Sequence, residues 1–271
     1  MSGFQKTIKY LAMAFAIFLA VNIIGGILSA VGLVGGLLDG LAGGDVSTAD
    51  MKSYEISADI HSLEIELNAA DFIIKKGNRL SVESNIKHLS VEEKNGVLKI
   101  EDEKVFSGKY SGAVLTLCLP EGAVFEKADL SMGAGRLTAD SLTAGRLELE
   151  LGAGEATIGR LVVAERAVID GGVGKLVIED GALHNLDLDM GIGQLILKTA
   201  LSGSSKFDMG IGDSQITVIG SRKDYRPDIE KGVGRITVDG VSVSDFTESQ
   251  GGERRIAISG GVGSVSLSFT E

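Results

Sequence analysis

The stretch "DMGIGQLILKTALSGSSKFDMGIGDSQITV", Asp189 to Val218, contains Asp-Met-Gly-Ile-Gly twice, nineteen residues apart. The doublet is one member of a longer series. Gly-x-Gly triplets recur at Gly133 and Gly135, Gly152 and Gly154, Gly172 and Gly174, Gly191 and Gly193, Gly210 and Gly212, Gly232 and Gly234, and Gly261 and Gly263, at intervals of 19, 20, 19, 19, 22 and 29 residues. Three residues before each triplet stand Leu130, Leu149, Ile169, Leu188, Phe207, Ile229 and Ile258, all large and apolar. Apolar residues also dominate four and six positions after the first glycine, as in Leu176 with Ile178 and Leu195 with Leu197. Each unit therefore reads as a strand, a glycine corner and a second strand, with alternate side chains directed inward.

One such unit cannot bury its apolar face alone, whereas stacked copies can. The expectation is an all-β fold, a single-stranded β-solenoid or β-helix of about 19–20-residue coils, preceded by one N-terminal transmembrane helix. Equivalent strands would pair one coil apart at about 4.8 Å, and the glycines would allow crowded corners with positive φ. Upstream, "SLEIELNAADFIIK" (62–75) alternates like a half-buried strand, and its Asn68-Ala69-Ala70 stands where a triplet would, as in a degenerate first coil. "LSVEEKNGVLKIED" (89–102) places Asn95-Gly96 between two alternating runs, a strong hairpin signal. The long final intervals hold "SRKDYRPDIE" (221–230) and "DFTESQGGERR" (245–255), which read as loops leaving the stack.

The amino terminus carries a different signal. From Tyr10 to Leu38 no charged residue occurs in 29 positions, and roughly twenty apolar residues suffice to cross a bilayer. Lys6 and Lys9 precede the segment, while Asp39, Asp45 and Asp50 follow it, an asymmetry that retains the amino-terminal end in the cytoplasm. The expected organisation is a short cytoplasmic tail (1–9), a single-pass anchor (10–38), a linker (39–53) and a repeat domain (54–271) outside the cytoplasm. A cleaved signal peptide is the alternative for the same residues.

Three ligand-binding readings of Gly-x-Gly fail at named positions. A dinucleotide loop needs a third glycine before a helix, but Thr138, Thr157, Val177, Ile196, Gln215, Thr237 and Ser266 occupy that place. A phosphate loop ends in Gly-Lys-Ser or Gly-Lys-Thr, and Gly174-Lys175-Leu176 lacks the hydroxyl. Calcium-binding glycine nonapeptides need an aspartate where Leu176 and Val265 stand. The fourteen glycines are therefore read as structural turn positions.

Composition narrows the function further. A formal net charge of -11 argues against a nucleic-acid partner. The single cysteine, Cys118, permits no internal disulfide and no cysteine metal cluster. His61, His88 and His184 show no metal-ligand spacing, so no metal, cofactor or catalytic residue is assigned. One outward column is notable. Two residues before successive triplets stand Glu150, Asp170, Asp189, Asp208 and Glu230, with Ser131 and Ser259 at either end. This ladder is a candidate binding surface for divalent cations, which favour oxygen ligands, or for a basic partner. It reads also as a solvated face that discourages aggregation, the reading that the nearby Lys206 and Arg235 favour. Asp170 and Asp189 also support an enzyme alternative, in which surface carboxylates attack a polysaccharide.

"LTLCLPEGAVFEKADLSMGAGRL" (115–137), "LELELGAGEATIG" (147–159) and "LDLDMGIGQLIL" (186–197) resemble bacterial β-strand-repeat proteins labelled "putative adhesin", some of them associated with envelope stress in Gram-positive bacteria. The resemblance covers about residues 54 to 271 and implies a β-solenoid at the cell envelope without known catalytic residues. The expected function is a non-enzymatic, membrane-anchored envelope module for adhesion, scaffolding or stress sensing through an envelope-protein or cell-wall partner. The alternatives are a polysaccharide-active enzyme and a calcium-dependent surface protein.

Overall fold

A computed structural model describes residues 48–57, 59–102, 112–247 and 251–270. These residues fall within one unit, Ser47–Glu271. They form β1 (Thr48–Glu55), β2 (Ser62–Gly77), β3 (Ser81–Ile86), β4 (Leu89–Lys94), β5 (Val97–Asp102) and β6 (Val114–Pro120). The repeats follow in β7 (Phe125–Asp170), β8 (Val173–Ile178), β9 (Gly181–His184), β10 (Leu186–Ser202) and β11 (Ser204–Ile219). A single 3-10 turn, Arg222–Asp224, leads to β12 (Tyr225–Glu230) and β13 (Val233–Val238). β14 (Val241–Val243), β15 (Phe246–Thr247), β16 (Arg254–Ser259) and β17 (Val262–Thr270) complete one connected sheet of seventeen strands.

Successive repeats lie parallel and in register. Leu188 pairs with Ile169 on one side and with Phe207 on the other, and Leu195 pairs with Leu176 and with Ser214. The inward columns Leu130, Leu149, Ile169, Leu188, Phe207, Ile258 and Ile229 are each at most 2% exposed. Alternation explains this burial: along β10 the pattern changes from buried to partly exposed at nearly every residue on either side of the glycine corner. Burying a Leu or Ile stabilises by about 1.5–3 kcal/mol, and this column together with the parallel inward columns, such as Leu176, Leu195 and Leu197, forms the core.

Chain order and spatial order part at both ends. β2 lies between β7 and the pair β5 and β6: Leu63 faces Ala128 on one side and Leu98 on the other. At the far end β16 and β17 enter between β11 and the pair β12 and β13, with Phe207 opposite Ile258 and Ile258 opposite Ile229. Antiparallel strands then cover the outermost rungs. β4 pairs with β5, β3 with β6 and β1 with β3; β15 pairs with β12 and β14 with β13. Such additions blunt the open edge of a parallel stack. The Asn95-Gly96 turn joins β4 to β5 with φ of 51° and 75°, values that suit a two-residue hairpin.

The expected fold class needs correction on both counts. The structure is a closed parallel β core with added antiparallel strands, not a single-stranded β-solenoid following one transmembrane helix, since a simple winding would keep each coil beside its chain neighbour. Among the described residues no helix is long and apolar enough to cross a membrane. The single-pass anchor, and the localisation outside the cytoplasm that depended on it, are corrected accordingly; the segment 10–38 itself lies outside the described residues. The expected loop 221–230 is also revised, because Tyr225 and Ile229 belong to the buried core of β12.

Candidate functional site

The outward positions before each corner form the most ordered polar surface. Asp170, Asp189 and Asp208 occupy neighbouring strands in register. Glu150 precedes Ala153, which pairs with Val173, and so extends the column by one rung. Glu230 does not follow Asp208: the transposed β16 places Ser259 opposite both. The sequence-derived ladder of five carboxylates is therefore a run ending at Asp208, a serine, and then Glu230. At the other end Ser131 faces Glu66, which faces Glu101.

Charge in this column is partly compensated by its neighbours. Partial desolvation first, then the adjacent carboxylates Asp170 and Asp208, hold the Asp189 carboxyl above its ordinary value, with Lys206 acting in the opposite sense. The hydrogen bond from Lys206 to Asp208 raises the Lys206 ammonium. Lys127 binds Asp129 at 2.9 Å, Lys99 binds Glu101 at 2.6 Å, and Arg166 approaches Asp187 at 3.4 Å. Exposed pairs of this kind are screened by solvent and add little to stability. Their effect is to fix a charge pattern more than to hold the fold. Sequence reading missed the basic positions Lys127, Arg146 and Arg166, six residues before their triplets, although their spacing follows the repeat.

The corner glycines lie where one backbone crosses closest to the next. An added Cβ at Gly193 would sit 1.7 Å from the Gly174 carbonyl oxygen, and Gly193 has φ of 144°. At Gly191 the corresponding contact is 2.5 Å to the Gly172 oxygen. These positions have no room for a ligand between rungs. Among the described residues no group of three or more His, Cys, Asp or Glu side chains could hold a metal ion. His184 Nδ1 lies 2.9 Å from Ser202 Oγ, and His61 Nδ1 lies 3.2 Å from Ser62 Oγ and 3.5 Å from Glu126. Cys118 is half-buried in β6.

The fold and surface define an all-β protein with a parallel repeat core and register-locked charged faces. No family model matches the sequence, and no curated protein matches it. Solved structures are similar at low identity. One is called a "putative adhesin", from Bacteroides fragilis NCTC 9343, with 13% identity over 80% of this chain and 95% of that one and a TM-score of 0.47. A "putative cell adhesion protein" from Clostridium sporogenes ATCC 15579 shares 14% identity over 82% of this chain and 99% of that one, with a TM-score of 0.33. A "putative lipid binding protein" from Parabacteroides distasonis ATCC 8503 shares 12% identity over 84% and 98%, with a TM-score of 0.34. The adhesin label implied by the resemblance recurs in these names, whereas envelope stress does not. Overlaps of this size leave function to be argued from the chain's own residues.

Proposed function

We propose that this chain is a non-enzymatic interaction module, serving adhesion or scaffolding by presenting its ordered charged face to an extended, basic partner. The observation that carries this reading is the register of Asp170, Asp189 and Asp208 on neighbouring strands. Strand pairing repeats the same carboxylate about every 4.8 Å, on a backbone locked by the buried columns beneath. Many weak, evenly spaced contacts add through effective concentration when the partner is itself extended. Catalysis asks for a different arrangement, a few groups converging in a cleft that excludes water, whereas these side chains stand side by side on an exposed strand face.

The test compares two triple variants of equal net charge. Asp170→Asn/Asp189→Asn/Asp208→Asn removes the column, and Glu155→Gln/Glu179→Gln/Asp213→Asn removes three carboxylates elsewhere. Salt-sensitive binding to an immobilised oligolysine peptide should fall in the first variant and persist in the second. Equal loss in both would reduce the effect to net charge and defeat the proposal. Turnover of a cell-wall glycan, abolished by Asp170→Asn/Asp189→Asn with folding retained, would replace it with an enzyme.

A further inference from the structure

The middle residues of the glycine triplets form an outward column of their own, beside the carboxylates. Ala153, Val173, Ile192, Ile211, Val262 and Val233 follow one another in register on successive rungs. They stand outside the core: Val173 and Val233 are 38% and 47% exposed, Ala153 is exposed, and Ile192, Ile211 and Val262 are half-buried. Strand pairing does not ask for large side chains here, since Ala69 and Ala134 hold the same position on the first rungs. Single apolar residues are ordinary on a surface, whereas a contiguous row marks an interaction site. The glycines on either side carry no side chain, so the row is a ridge with bare backbone along both flanks.

Charge beside this ridge is one-sided. Asp170, Asp189 and Asp208 stand three residues before Val173, Ile192 and Ile211. Asp208 is held by Lys206, and Asp170 accepts the Gly172 N–H at 3.2 Å. Among the described residues no Lys or Arg lies within ion-pair distance of Asp170 or Asp189, so two carboxylates beside the ridge lack an internal counter-ion. On the opposite flank Lys175, Gln194 and Asp213 carry no net charge. A second copy packed ridge to ridge about a two-fold axis would offer these carboxylates its own acidic column or its uncharged flank, never a basic one. An anionic lipid surface would meet the same repulsion. Complementarity therefore selects a cationic partner with an apolar stripe.

Spacing selects its conformation. Rungs repeat about every 4.8 Å, one turn of α-helix advances about 5.4 Å, and alternate residues of a strand lie about 6.7 Å apart. Over the three steps from Val173 to Val262 a helix drifts about 2 Å from the ridge and a strand about 6 Å. We propose that the ridge and its acidic flank dock a basic amphipathic α-helix lying along the stack. Its apolar stripe sits on Val173, Ile192, Ile211 and Val262, and its Lys or Arg side chains reach Asp170 and Asp189. From Ala153 to Val233 the ridge spans about 24 Å, the length of a helix of about sixteen residues. This names the partner of the charged face and rests on that reading for its electrostatic half; the apolar half is independent of it.

Fluorescence anisotropy of the full chain with two labelled peptides tests the site. One, of about twenty residues, places Leu at i, i+3, i+4 and i+7 with Lys on both flanks, the pattern of an amphipathic helix; the other has the same composition with Leu and Lys alternating. The helical peptide should bind about tenfold more tightly, equivalent to about 1.4 kcal/mol. Ile192→Thr/Ile211→Thr keeps β-branching and net charge, and should remove that advantage while leaving oligolysine binding unchanged. Replacing the peptide's Leu by Gln should give the same loss with the protein untouched. Equal binding of the two peptides, or undiminished helix binding by the Thr variant, would overturn the docking and leave the charged face standing. Oligolysine binding that ignores Asp170→Asn/Asp189→Asn/Asp208→Asn, with helix binding still dependent on Ile192 and Ile211, would defeat the charged-face reading alone and support the ridge. A dimer broken by the Thr variant, with no helix bound, would overturn the proposal in favour of self-association.

Discussion

Phe207 lies in register with Ile258 and not with Ile229, so the last repeat of the chain is an interior rung. Removing residues 251–271 would strip Ile256, Ile258, Val265 and Leu267 from the core. At about 1.5–3 kcal/mol for each buried side chain, the loss rivals the whole stability of a domain, about 5–15 kcal/mol. It would leave β12 and β13 paired only with their short antiparallel covers. Hydrogen exchange should therefore show amides 225–238 unprotected in the truncated chain, and the exposed β11 edge should promote association. Protection retained at 225–238 would mean that the repeats stack in chain order.

The glycine corners make a second, graded prediction. Gly193→Ala forces a Cβ to within 1.7 Å of the Gly174 oxygen at a φ that L residues rarely adopt. Overpacking at about 1–3 kcal/mol adds to left-handed strain of about 1–2 kcal/mol. Gly240, with φ of 79° and nothing within 4 Å, carries only the backbone part. Urea unfolding should rank Gly193→Ala well below Gly240→Ala, and equal losses would mean that inter-rung contact is not what requires the glycine.

These contrasts also show what the sequence could and could not reveal. The inward columns were legible because residue type is fixed by burial: Leu149, Leu188 and Ile258 had to be apolar wherever their strands lay. Asn95-Gly96 was legible because two positive φ angles in a row suit few residue pairs. Rung order was not. Ile229 before Gly232 and Ile258 before Gly261 are the same residue in the same context, so either could stand beside Phe207 without changing the pattern. The break at Ser259 in the acidic column follows from that transposition.

The acidic column predicts a pH effect of definite sign. Desolvation and the neighbouring Asp170 and Asp208 raise the Asp189 carboxyl in the folded state. Its favourable contribution is thus complete below the unfolded value, about 3.9, and is lost as pH rises through the folded one. Asp189→Asn should leave stability nearly unchanged at about pH 3 and raise it at about pH 7, by a few tenths of a kcal/mol as is typical for exposed like-charge neighbours across strands. Thermal melts at the two pH values read the difference. A variant less stable at neutral pH would show that Lys206 pairing outweighs the repulsion.

The far end of the stack depends on a hydroxyl. Tyr225 is fully buried, its Oη donates to the Leu201 carbonyl at 3.0 Å, and Arg254 Nη1 donates to the Tyr225 Oη at 3.3 Å. The Arg254 guanidinium also lies 5.5 Å from the Tyr225 ring centroid, and Arg222 lies 5.0 Å from that of Phe269. Tyr225→Phe keeps the ring and its cation contact but removes the link from β12 to β10, leaving the Leu201 carbonyl without that donor. The expected cost is about 1–3 kcal/mol, the range for an orphaned buried partner. Tyr225→Leu should cost more, because the ring contacts go as well, each cation–π contact being worth about 0.5–2 kcal/mol. Equal stability of wild type and Tyr225→Phe by urea unfolding would show that packing alone seats the transposed rung.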